Sequence, residues 1–65
     1  MSRDQAIKRA IHLTAVRQAL HVAVVKDCGK FKPEFSVVEE RDHHYRCRHW
    51  PNYMGGHRVI WPREE

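Results

Sequence analysis

The segment His43-His44-Tyr45-Arg46-Cys47-Arg48-His49-Trp50 concentrates the side chains of this sequence that can do chemistry. A histidine with an ordinary pKa of about 6.5 can take the proton of a ribose 2′-hydroxyl or give one to a leaving oxygen. Neighbouring guanidinium groups can stabilise the charge that develops. That combination is how a metal-independent ribonuclease can be assembled, with His43 or His44 as the acid–base group. The same histidines together with His57, Cys47 and Cys28 could supply four zinc ligands, and a metal would staple a chain this small. No C-x2-C or H-x3-H pair is present, however, so neither metal nor other cofactor is expected. The competing plain reading is a thiol packed inside and ordinary surface histidines.

Twelve Lys and Arg against eight Asp and Glu leave a formal charge of +4 and a pI near 9.5, which favours polyanionic partners, nucleic acid first. At 65 residues the chain forms one small domain, marginal on its own and reliant on a tight core or a partner. Hydrophobic residues at 42% and charged residues at 31% argue for a folded domain rather than disorder. Uncharged stretches such as Gln18 to Val25 reach only eight residues, against the roughly 20 apolar residues that span a bilayer, so no membrane partner is expected. No apolar leader follows Arg3, although residues 1–21 carry four Lys or Arg and one acid and look faintly like an organelle transit segment. Two cysteines without a secretory signal read as reduced thiols. The expected compartment is the cytoplasm, with an organelle matrix as the alternative.

The elements that must position these groups follow from patterning. Ser2 can cap a helix whose first turn holds Asp4 and Gln5, with Ala6, Ala10, Leu13, Val16 and Leu20 at helical spacing. Ile7, Ile11 and Ala15 widen that stripe. The helix is assigned to residues 1–25, with His21 to Val25 open between a last turn and a short β-branched strand. Asp27-Cys28-Gly29-Lys30 stops the element. Beyond Pro33 a three-stranded meander is expected over residues 34–62: a first strand from Phe35, a second from His43 to Trp50 after an Arg41-Asp42 turn, and a third from Gly56 to Trp61. Pro51 to Gly56 form the second hairpin loop, and Pro62 ends the last strand.

Strand alternation then divides the second strand. Tyr45 and Cys47, with His43 and His49, are the cheaper set to bury. His44, Arg46 and Arg48 are left on the open face, joined by Arg58 from the third strand and flanked by Trp50. This is a cationic ribbon for phosphates with a ring for stacking on a base. Glu39 and Glu40 could instead neutralise it. Tyr53, Met54 and Trp61 form a second candidate surface, for a protein partner.

The pattern from Phe35 to Arg63 resembles the HicA-like mRNA interferase toxin family, whose double-stranded-RNA-binding-like fold has a helix, three strands and a second helix. Arg41-Asp42-His43-His44-Tyr45-Arg46 stands where the family's middle strand opens with Gly-Ser-His. Gly56-His57-Arg58-Val59-Ile60-Trp61-Pro62-Arg63-Glu64 stands where its third strand runs. The resemblance implies an α+β fold, one N-terminal helix on a three-stranded antiparallel sheet with the second helix missing, and RNA cleavage at His43. The leading expectation is thus a small basic module that binds RNA or another polyanion. The alternative is a non-enzymatic protein-binding module: a phage-type inhibitor of a host enzyme, an accessory subunit of a large organelle or ribosomal assembly, or a homodimer.

Overall fold

The computed structural model describes residues 1–27, 32–50, 53 and 57–64. Its elements run α1 (Arg3–Arg17), β1 (His21–Lys26), β2 (Glu34–Glu39), α2 (Glu40–His49) and β3 (His57–Trp61). The fold is α+β, with one antiparallel sheet in the order β2-β1-β3. No helix among the described residues is long and apolar enough to cross a membrane.

The first helix starts as its sequence dictates. The Gln5 N–H donates to Ser2 Oγ at 3.2 Å, and the Ser2 N–H donates to Gln5 Oε1 at 2.9 Å, a reciprocal cap of two otherwise unpaired donors. It stops at Gln18, which takes φ 52, and not at residue 25. His21 to Val25 therefore leave the helix and form β1, the central strand. The apolar run from Val22 to Val25 is explained by position: a strand flanked by two others and covered on both faces buries both alternating sets of side chains, here all but Lys26. Ala6 and Ala10 of α1 pack on Ala23, Val25 and Ile60, with Ile7, Phe35, Val37 and Trp61 around them. The opposite face carries Val22, Val24 and Val59 with Leu20 and Val38. Val16 and Ile11, expected in the stripe, stay exposed because the small Ala6 and Ala10 are the residues that meet the sheet.

Thr14 ties α1 to β1. Its hydroxyl donates to the Ala10 carbonyl at 2.7 Å and accepts from the His21 N–H at 2.9 Å, while His21 Nδ1–H donates to the Ala19 carbonyl at 2.7 Å. Thr14→Val keeps the shape and removes the acceptor, so the His21 N–H loses its partner at the buried start of β1. We expect a loss of about 1–3 kcal/mol in urea unfolding. An unchanged midpoint would show that this link carries no stability.

The largest departure from expectation is the segment His43 to Trp50. It is not a middle strand: Glu40–His49 is a helix, and Arg41 and Asp42 lie inside it rather than in a turn. The second helix is therefore present, between β2 and β3, and the order is helix, strand, strand, helix, strand. The physical reason is legible afterwards. Residues 40–49 contain no β-branched side chain, open with Glu40 and Asp42, and close with Arg46, Arg48 and His49, the charge order that complements a helix dipole. The Glu40 N–H donates to the Leu20 carbonyl at 2.8 Å, which pins the start of α2 to the α1–β1 connection. The Cys28–Lys30 part of the first stop signal, Met54, and the loop apart from Tyr53 lie outside the described residues.

Candidate functional site

Because α2 is a helix, side chains four apart share a face and alternate ones do not. His43 and Cys47 turn together toward the sheet: His43 is buried and Cys47 half-buried. Cys47 Sγ lies 3.6 Å from His43 Nε2, and the other ring nitrogen, Nδ1, lies 2.9 Å from the Tyr53 hydroxyl. Tyr53 is itself held on both sides. His57 stacks on its ring at 4.0 Å between centroids with 10° between planes, and the His57 Nδ1–H donates to the Tyr53 carbonyl at 2.6 Å. The Arg46 guanidinium sits 6.0 Å from the same ring and 5.0 Å over Trp50, whose edge meets Tyr53.

This core of rings borders a cleft of about 390 Å³ between α2 and the Val22–Val59 face of the sheet. Glu40, His43, His44 and Cys47 line it from α2, His57 and Val59 from β3, and Pro62 and Arg63 from the segment after it. Burial pushes the Tyr53 hydroxyl above its ordinary pKa of 10.0, against the pull of Arg46, so the phenol stays neutral. A group whose folded pKa is raised contributes stability that is present below its unfolded pKa and is lost as pH climbs through the folded one. Stability should therefore hold up to about pH 9 and fall above pH 10, and Tyr53→Phe should remove that part of the alkaline fall. Urea melts at pH 8 and 11 on both chains measure it; equal alkaline losses would place Tyr53 outside the cause.

The outer side of α2 is different in kind. Arg41, His44, Tyr45, Arg48 and His49 are all exposed and together border a shallow depression. The rings of Tyr45 and His49 lie 4.4 Å apart. Among the described residues neither Glu39 nor Glu40 forms an ion pair with this face.

No protein family, curated protein or solved structure matches this chain.

The expected site residues thus separate into groups. His44 and Arg48 reach the exposed face of α2. Arg46 does not join them: it turns inward over Trp50 and Tyr53 and is half-buried. Trp50 stays exposed at the end of the helix. Arg58 stands opposite Val25 in the ladder and so shares the α1 side of the sheet, away from α2. The continuous ribbon of His44, Arg46, Arg48 and Arg58 therefore does not form. Tyr53 is buried rather than displayed, and Trp61 is half-buried against the α1 core. Arg41, taken as a turn residue from the sequence, joins the outer face. Its i, i+7 spacing with Arg48 was the signal, readable once residues 40–49 are seen as helical.

Proposed function

We propose that this protein binds RNA through the exposed face of α2, with Arg41 and Arg48 on phosphates and Tyr45 and Trp50 available to stack on bases. The observation that carries the reading is the set of unneutralised cations beside exposed rings on one helix of a chain with net charge +4. Phosphate contacts supply affinity, and aromatic faces stack on any base, so the expected binding is strong at low salt and tolerant of sequence. The α1 surface also holds exposed cations, Lys8, Arg9 and Arg17, with the His12 imidazole but no Tyr or Trp. The cleavage role expected for His43 gains less support, because its two nitrogens face Tyr53 and Cys47 rather than solvent. Fluorescence anisotropy with a labelled single-stranded RNA at 50 and 200 mM salt tests the proposal. Binding that weakens steeply between the two supports it, and no binding at either disposes of it.

A second reading, a protein-docking module, is favoured by one observation: Ile11 and Val16 of α1 are 48% and 62% exposed. Light scattering on the purified chain bears on the homodimer form of that reading; a dimer that Ile11→Ser dissociates supports it.

A further inference from the structure

We propose that Cys47 and His43 form a thiolate–imidazolium nucleophile opening on the cleft between α2 and β3, and that the cleft takes a small electrophile bearing an anionic group. The helix sets the pair: residues four apart on α2 bring Sγ to 3.6 Å from Nε2. The ring cannot turn away freely, because its Nδ1 is engaged by the Tyr53 hydroxyl at 2.9 Å and Tyr53 is clamped by His57. This is the nucleophile, base and orienting-group arrangement by which a thiol is activated. The thiol is partly exposed at the cleft wall, so a reagent can reach it, while the histidine is buried and shielded from competing water.

Charge decides the direction of proton transfer. Cys47 sits in the second half of α2, where the negative end of the helix opposes a thiolate. Among the described residues, the titratable and charged groups beside the pair are Glu40 and His44 on α2, Tyr53, His57 on β3, and Arg63 beyond it. Tyr53 is held neutral by its burial. Among the described residues that line the cleft Glu40 is the acid, against the Arg63 guanidinium and the His44 and His57 imidazoles, and this balance favours the anionic sulfur. In the step itself the Sγ–H proton passes to His43 Nε2, whose Nδ1–H then donates to Tyr53 Oη. The sulfur electron pair forms a bond to the electrophilic carbon, and the leaving group departs with the pair of the bond that breaks. Arg63 and His44 at the cleft edge would hold the anionic group.

Iodoacetate and iodoacetamide are the probes: an S–C bond forms, the C–I bond breaks and iodide leaves. In a Cys28→Ser chain, Cys47 should be alkylated by iodoacetamide at pH 7 at least about tenfold faster than an unstructured cysteine peptide, with a rate midpoint below the ordinary thiol value of about 8.5. The ratio of iodoacetate to iodoacetamide rates should exceed that of the peptide. His43→Gln should return rate and midpoint to peptide values. Arg63→Ala should lower the iodoacetate rate more than the iodoacetamide rate and so lose the iodoacetate preference. A Cys47 that reacts no faster than the peptide, with a midpoint near 8.5, overturns the nucleophile even if His43→Gln fails to fold. A fast thiol without iodoacetate preference overturns the anionic specificity.

Discussion

Replacing Arg41 and Arg48 together by alanine is expected to weaken RNA binding by one order of magnitude or more and to flatten its salt dependence. Each phosphate contact on a single strand contributes about 0.7 to the slope of log affinity against log salt, so two contacts are about 1.4 of slope. At 0.1 M salt that slope corresponds to roughly a factor of five per contact, or about 25-fold for the pair. Both side chains are exposed and without an acidic partner among the described residues, so their loss should leave folding intact. Lys8→Ala with Arg9→Ala on α1 removes the same charge from a surface without Tyr or Trp. If that control weakens binding as much as the α2 pair does, the effect is net charge alone and α2 is not the seat. Tyr45→Ala should cost a further factor of about five or more through lost stacking, with the salt slope unchanged.

Val24→Asp is expected to abolish the native fold. Val24 is 1% exposed at the centre of the middle strand, paired with Ser36 on one side and Val59 on the other. Its apolar neighbours on that face, Val22, Val59, Leu20 and Val38, cannot pair with a carboxylate. An unpartnered charge in such a place costs several kcal/mol, and a domain of this size holds only about 3–5 kcal/mol in all. Val38→Asp, on the same face but half-buried on an edge strand, should be milder and leave a folded chain with a lowered midpoint. Far-UV circular dichroism and cooperative urea melts measure both. A Val24→Asp chain that still unfolds cooperatively near the parent midpoint would contradict the two-faced sheet.

Ser2, Gln5 and the Ala6–Ala10 side of α1 were legible because capping and helical spacing are local. The α+β class followed from the shift in patterning after Pro33. β1 was not decidable from its own residues: a continuous apolar run suits a buried helix turn or a central strand equally, and only the two flanking strands settle it. The segment 40–49 misleads for a different reason. Its residues are almost all polar or charged, so a period of two and a period of 3.6 leave the same faint trace, and the informative signal was charge order from Glu40 to His49. The candidate site inherits both outcomes. His44, Arg48 and Trp50 are exposed as expected, whereas Arg46 and Arg58 are carried elsewhere by a changed periodicity. The meeting of His43 with Tyr53 and of Tyr53 with His57 depends on how the chain returns from α2 to β3, which no spacing in the sequence encodes.

Backbone amide shifts during titration of the labelled protein with a short single-stranded RNA test the central claim most directly. The account predicts that the largest changes fall on Arg41, His44, Tyr45, Arg48 and His49, with Trp50 following and the α1 amides from Lys8 to Arg17 nearly still. Changes concentrated on α1, or spread evenly over both helices, would contradict it.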